Sequence, residues 1–510
     1  MSRIHFLTHL LNHPDAFSIA VLGSLAVIGL AALYLMSKLD VTMLMVLAIV
    51  LEMFSGNWKL ANIPIPLDRV AFILALGALL VKGPRYASAR KLVVRPLHLA
   101  LLSAAAWCAA SGLVAGTLTG HLGFYAFLDR FGLVPFVMFT TAPLFFGTPR
   151  QRRMLLIGLS VMAFYLGFTG VMEGLHVYRL VVPSYIADPN NGIQFGRARG
   201  PILESTGDGF CVIVGAVACA IGLTTWRSRR VRTFLVLTIG LDIATLFFTL
   251  TRSVWIAGFL GAVVGMLLHP RTRRILLPTL VAGTVAIGAL LAVSPSIRNH
   301  VIGRTESQSP VWDRQNTDLA ALKIVSEHPI FGVGWENFVN VSPQYMVQQK
   351  GYPITGLGIE VHNVFLSHAA ELGIPGLLLW LMAIGGAARR ALLPWRVRDL
   401  WARRLQPGRA PPRLHPDADP DLDMWRLGLL TIGLAFGVIA DLAPFSQALP
   451  NTLLWLFLGI VASPYTSRLR AGRTYAALAP TVADGGGSAL PSGPGGPAVA
   501  GPGGRKPAYL

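Results

Sequence analysis

The stretch GRTESQSPVWDRQNTDLAALKIVSEHPIFGVGWENF (303–338), followed by HNVFLSHAAELGIPG (362–376), decides how this chain is read. It is the heart of a polar island, residues 294–364, inside a sequence that is otherwise apolar enough for a membrane. Long loops in compact proteins are usually functional or disordered. This one has helical spacing, tryptophans and glycine turns, so it reads as ordered and as the working part.

Around the island, 53% of the 510 residues are hydrophobic and only 13% are charged, with a mean hydropathy of +0.58. A soluble chain carries about 25% charge. Apolar runs long enough to cross a bilayer recur at 17–36, 41–54, 70–81, 98–119, 131–147, 154–174, 208–225, 233–250, 253–268, 275–293, 365–387, 427–442 and 451–463. The second, third and last are short, so twelve spans are as defensible as thirteen. Backbone groups in lipid must satisfy one another. The expectation is therefore an all-α, polytopic membrane helix bundle of 12–13 helices with one large extracytoplasmic loop.

The net charge of +19 does not describe a nucleic-acid face, because its distribution is alternating. Basic residues cluster after every second span: Lys82 to Arg95, Arg150 to Arg153, Arg227 to Arg232, Arg271 to Arg274, and eight arginines in the loop 388–424. That is the positive-inside pattern, which sets topology. The island instead sets Arg298, Arg304, Arg314, Lys323 and Lys350 against Glu306, Asp313, Asp318, Glu327, Glu336 and Glu360. Near neutral, it belongs outside. A nucleic-acid surface would be strongly basic.

One polytopic domain is expected over 1–465, with a Gly/Pro-rich, disordered cytoplasmic tail at 466–510. The N-terminal apolar run lacks a small-residue cleavage site and reads as a first membrane helix. The side of Met1 depends on the span count. Cys108, Cys211 and Cys219 lie inside expected spans, without metal or disulfide spacing, and read as small core residues. No nucleotide-binding glycine motif or zinc spacing is present, so metal-free chemistry without a cofactor is expected.

Inside the island, 316–328 places Leu319, Leu322 and Val325 at three-residue steps, closed by Pro329. This predicts an amphipathic helix lying in the membrane interface. A second outer segment, 175–207, contains DPNNGIQFGRARGPILEST (188–206), rich in turn signals.

Charged groups at membrane depth are costly and usually functional. Arg252 in LTRSVW (250–255) stands between two apolar runs with almost no loop. Arg197 and Arg199 in GRARG (196–200) fall on the same side, beside glycines that let a ligand approach backbone. A guanidinium holds a phosphate through two parallel hydrogen bonds. These three form a candidate pyrophosphate clamp. Each also has a plainer reading as a boundary or ion-pair residue. His362, at the exit of the island, is a candidate general base. Asn363 is placed to cap the following helix. Glu371, two turns on, is a carboxylate within a span. Gly373, Pro375 and Gly376 permit a kink. Asp242, Glu173 and Glu204 are further candidate partners, and Asp129–Arg130 reads as a structural pair.

At these residues the chain resembles the O-antigen ligase and O-antigen polymerase-like family of bacterial envelope glycosyltransferases. The pieces that carry the resemblance are RARGPILE (197–204), LTRSVW (250–255), and EHPIFGVGWENF (327–338) followed by HNVFLSHAAELGIPG (362–376). With the hydropathy pattern it covers about 20–465, and most specifically about 190–385. The chain departs from many relatives in having Glu204-Ser205-Thr206 and in Thr251 and Trp255.

The resemblance implies transfer of a glycan from undecaprenyl pyrophosphate to a glycan or lipid acceptor. The reaction would occur on the outer face of the bacterial cytoplasmic (inner) membrane. A chain-length regulator and a flippase would be further partners, and no nucleic acid is involved. It implies His362 as the base, Arg199 and Arg252 on the pyrophosphate, and Glu371 and Asn363 as supporting residues; read with the residues themselves, Glu371 is taken as a second catalytic residue and Arg197 joins the pyrophosphate clamp. The expected supporting residues are Asn363, Glu204 and Arg314. Two rival classes are a transporter or flippase of lipid-linked glycans and a non-catalytic membrane subunit. A transporter would line its path with charge near the midplane. Here most charges sit at the outer end.

Overall fold

A computed structural model of the chain describes residue 34 and residues 38–82, 90–269, 272–293, 295, 298–299, 309–347, 351, 353–354, 357–392, 422–444 and 447–469. Nearly all of the expected first span 17–36, the stretch 300–308, most of the loop 388–424 and the tail beyond 469 lie outside these residues. The described chain is all-α, apart from one antiparallel clip pairing Arg90–Leu92 with Ser467–Leu469.

Among the described residues, seven helices are long and apolar enough to cross a membrane. They are Pro96–Val114, Gly123–Phe145, Pro149–Gly174, Ser205–Thr225, Arg229–Phe248, Val364–Leu392 and Leu422–Leu442. Three shorter apolar helices, Val41–Phe54, Arg252–Leu268 and Ala448–Val461, stand at further expected spans. So do the helices Leu67–Lys82 and Leu276–Val293.

Contacts at the helix termini sort the bundle into two ends. At one, Thr42 donates to the Phe145 carbonyl at 3.1 Å, Lys82 to that of Leu39 at 2.7 Å, and Arg95 to that of Tyr465 at 3.1 Å. The basic clusters begin there. At the other, Thr452 donates to Glu52 at 2.6 Å, Ser205 and Thr251 share a hydrogen bond at 2.9 Å, and Asn363 donates to Asp441 at 2.7 Å.

The helix Ala448–Val461 forms the centre: every residue from Leu449 to Val461 is buried, as expected of a helix apolar on all sides. The helix Pro149–Gly174 meets Arg229–Phe248 through Gly167, Gly170 and Gly174, and the Thr245 hydroxyl donates to the Gly167 carbonyl at 2.8 Å. Small residues allow this closeness where lipid supplies no hydrophobic drive between helices. Ile157, Val161, Leu237, Ile243, Leu378 and Met382 face outward, exposed, on surfaces suited to lipid.

The island is tied to the bundle by a broken helix. Pro375 has no N–H to give the Glu371 carbonyl, and Gly373 (φ 71, ψ 176) interrupts the helix Val364–Leu392. The freed groups are taken up by the turn 329–334. Gly334 N–H donates to the Glu371 carbonyl at 2.9 Å, Val333 N–H to that of Ala370 at 2.9 Å, and Ile374 N–H to that of Pro329 at 2.8 Å. The Trp107 indole donates to the Leu372 carbonyl at 2.9 Å and its ring stacks on Phe331. Gly373→Ala puts a Cβ into the Ile330 carbonyl at a backbone conformation reserved for glycine. The expected outcome is destabilisation on the order of 3 kcal/mol, read from denaturant unfolding in detergent. Wild-type stability would show that the kink is not the anchor.

Candidate active site

The island helix runs Ser309–Glu327, longer at its start than expected and closed ahead of Pro329. Its buried face is Asn316, Thr317, Ala320, Ala321 and Ile324, packed toward the helix Val364–Leu392. The expected apolar stripe is therefore not its packing face: Leu319 and Leu322 are 42% and 55% exposed. Small residues win the inner face because they let the helix lie close.

Arg314 on this helix is half-buried, and Arg252 opens the helix Arg252–Leu268. Burial lowers Arg314 from the ordinary guanidinium range, the charge of Arg252 adds to that, and Asp318 opposes it. Two cations thus sit within electrostatic reach, and neither makes an ion pair at contact distance among the described residues. An anion between them would relieve both desolvation and repulsion. Arg252 follows Leu250, held at φ 48, an unusual conformation for a branched residue. That tight turn is why the arginine sits at a helix start with almost no loop.

His362 belongs to the same cluster. Burial and then Arg314 lower its imidazole from the ordinary value, against the pull of Asp313 and Glu360. It is kept neutral, the form a general base needs. Asn363 caps the next helix as expected: its Oδ1 accepts from Leu366 N–H at 2.9 Å. Its amide donates to the Asp441 carboxylate at the end of Leu422–Leu442. Asp318, raised by burial against the pull of Arg314, also senses Asp441. Asp441 was not among the expected site residues. A carboxylate at the rim of an apolar run (GVIADLAPF, 437–445) was the available signal.

The outer segment uses its charges differently. Arg199 is 0% exposed. Its guanidinium donates to the carbonyls of Ile186 (2.9 Å), Asp188 (2.8 Å), Asn191 (2.5 Å) and Ile193 (3.3 Å), and Glu173 lies 3.9 Å away. Four carbonyls of a tight turn need donors inside the fold, and the arginine fork supplies them. The expected phosphate contact of Arg199 does not fit this arrangement. Glu173 accepts from the N–H groups of Arg199 and Gly200 at 3.2 and 2.9 Å. Glu204 caps the helix Ser205–Thr225 through Thr206 and Gly207 N–H. Arg197 is half-buried. The Ala198 N–H bond to the Phe248 carbonyl, at 2.9 Å, brings its strand of chain beside the 249–252 turn.

Glu371 is nearly buried, and its carboxylate accepts from Phe338 N–H at 3.2 Å. Its bonds organise the island turn. Beside it lies a cavity of about 60 Å³, lined among others by Glu336, Glu360, Glu371, Asn451, Trp335 and Trp380. Arg130 crosses to Glu336 at 2.7 Å, and Arg69 to Asp129 at 2.5 Å. The expected Asp129–Arg130 pair thus acts as two bridges to other elements.

The bundle and its rim of charge define a multi-pass membrane protein. Residues 237–381 match the family described as O-Antigen ligase, which supports the resemblance to the O-antigen ligase and polymerase-like family. The match supports a membrane glycan-processing function of ligase or polymerase type, and with it a glycosyl-transferring enzyme. Arg252, Arg314, His362, Asn363 and Glu371 fall inside the matched segment; Arg197, Arg199, Glu204 and Asp441 fall outside it. No curated protein matches the chain.

Proposed function

We propose that this protein transfers a glycan from undecaprenyl pyrophosphate to a sugar hydroxyl at the outer face of the bacterial cytoplasmic membrane, without a metal ion. The observation that carries the reading is the cluster of Arg252, Arg314 and His362: two cations without a contact ion pair among the described residues, with a neutral imidazole within electrostatic reach of Arg314. The acceptor oxygen attacks the anomeric carbon as His362 takes its proton. The bond from that carbon to the diphosphate oxygen breaks. Arg252 and Arg314 hold the charge that the leaving diphosphate gains. The Ala198–Phe248 backbone bond sets the Arg197 segment beside the 249–252 turn, and we assign Arg197 to the same diphosphate. Asn363 and Asp441 position the His362 turn, and Glu371 holds the island against it. Polymerase and ligase share this chemistry and differ in the acceptor. In this reading 294–364 is the extracytoplasmic loop of one domain over 1–465.

The test is purified full-length protein in nanodiscs, supplied with a lipid-pyrophosphate-linked oligosaccharide. A new glycosidic bond and released lipid diphosphate are expected, at a rate that chelator does not change. Arg252→Lys keeps the charge and loses the fork, and should cost about tenfold or more in kcat/KM. Movement of intact donor across the bilayer with no new bond would replace the enzyme reading by transport.

A further inference from the structure

We propose that the antiparallel clip between residues 90–92 and 467–469 is the centre of a binding site for the phosphate headgroup of an anionic phospholipid, in the leaflet at the basic end of the bundle. The site does not depend on the transfer reaction proposed above. The clip is fixed from inside: Arg90 is buried, and its Nη1 donates to the Ser467 hydroxyl at 3.2 Å. Val93 N–H extends the pairing to the Thr466 carbonyl at 2.8 Å. That register sets Lys91 directly opposite Arg468, and both are exposed. Directly opposed side chains have Cβ atoms about 5 Å apart, and like charges at that spacing are destabilising. A second pair of cations meets at Tyr465, three residues before Arg468. Arg95 and Arg390, the latter in the last turn of the helix Val364–Leu392, both lean on the Tyr465 ring, at 5.2 and 4.5 Å from its centroid.

Among the described residues, none of these four cations has a carboxylate at ion-pair distance. Asp40 and Asp423, the carboxylates described at this end, serve other groups: Asp40 caps the helix Val41–Leu51, and Asp423 pairs with Arg426 at 2.7 Å. The positive-inside rule accounts for basic residues at this level. It does not account for two pairs of them held together by backbone pairing and by one ring. An anion does, because phosphate oxygens between the cations replace repulsion with charge-assisted hydrogen bonds. Position favours a lipid over a solute. Arg95 directly precedes the membrane helix Pro96–Val114, and Val94, Leu99 and Leu102 around it are exposed. A phosphate held at the clip therefore has apolar side chains beside it for acyl chains, and basic pockets between membrane helices at this level bind anionic headgroups. The clip also follows the central helix Ala448–Val461 and ties it to the segment that opens Pro96–Val114, so the headgroup would steady the closure of the bundle.

The experiment is native mass spectrometry of the delipidated full-length protein in detergent, titrated with phosphatidylglycerol and with phosphatidylcholine. The first phosphatidylglycerol should bind about tenfold more tightly than phosphatidylcholine, the scale of one or two basic residues at an anionic headgroup. Lys91→Gln combined with Arg390→Gln should bring the two lipids within about twofold of each other. Arg229→Gln combined with Arg230→Gln, exposed in another basic cluster, should leave the preference intact. Equal binding of the two lipids by the wild type would overturn the proposal. So would a preference lost equally in both double variants, which would assign it to the basic end as a whole. Millimolar inorganic phosphate should not displace the lipid; displacement would give the site to a soluble phosphate compound and remove the lipid assignment. A thermal melt without lipid tests the repulsion itself. Lys91→Gln removes one of two opposed charges, so its unfolding midpoint should be no lower than that of the wild type. A lower midpoint would show that no repulsion awaits an anion there, and would overturn the proposal.

Discussion

His362→Ala is expected to lower glycan transfer by about 10²–10⁴-fold, the usual contribution of a positioned general base. Protein abundance and the unfolding temperature should hardly change, because the cap of the following helix belongs to Asn363 and not to His362. The measurement is product formation with purified protein alongside a thermal melt. Near-normal transfer in a folded variant would remove His362 from the reaction.

The pH profile adds a second readout. Burial and Arg314 lower the imidazole of His362 below the ordinary value of 6.5, so the base stays neutral through that pH. Transfer should be flat from neutral pH down past 6.5 and fall only at more acid values. The same shift has a sign for stability. The unfolded chain binds this proton more readily than the folded one, so the contribution is lost as pH falls through the ordinary value. His362→Ala should therefore lose less stability than wild type on going into mild acid.

Arg199→Met is expected to cost about 3–5 kcal/mol in stability, the usual penalty for removing one partner of a buried charged pair. The substitution takes the guanidinium from four turn carbonyls, of which that of Asp188 keeps the Asn191 N–H at 3.3 Å, and leaves Glu173 without its cation. Denaturant unfolding in detergent and expression level report it directly. A phosphate-binding arginine would behave oppositely, with a stable fold and a raised KM for the lipid-linked donor. A stable, inactive Arg199→Met protein would thus restore the diphosphate role that the sequence first implied and remove the structural one.

The contrast between Arg199 and Arg252 shows where reading a linear chain stops. Both lie at the rim of apolar runs, both stand near glycine or a tight turn, and both fit a motif. What separates them is the local supply of carbonyls. The turn 186–193 folds around Arg199 and takes its donors, while the short 249–252 turn sets Arg252 within electrostatic reach of Arg314. Leu319 and Leu322 of the expected interfacial stripe are exposed, so the face they mark is not the one that packs on protein. Three-residue spacing marks an apolar face, and it does not say whether that face meets protein or lipid. Glu371 was legible as a carboxylate within a span, and Gly373 with Pro375 as a kink. The partner that fills the kink, the Gly332–Gly334 turn, lies some 40 residues earlier in the chain and required the fold to find.

Composition and spacing alone determined a helical membrane bundle, its basic and near-neutral ends, and the island on which the candidate site was sought. These follow from lipid, which admits only runs of apolar residues whose backbone bonds close locally. The tertiary structure decided which charges are consumed by backbone and which stand within electrostatic reach of one another. It also placed Asp441 beside Asn363 and formed the acid-lined cavity at the same turn. Such long-range pairings depend on how helices distant in sequence pack at one rim, and no local pattern of residues encodes them.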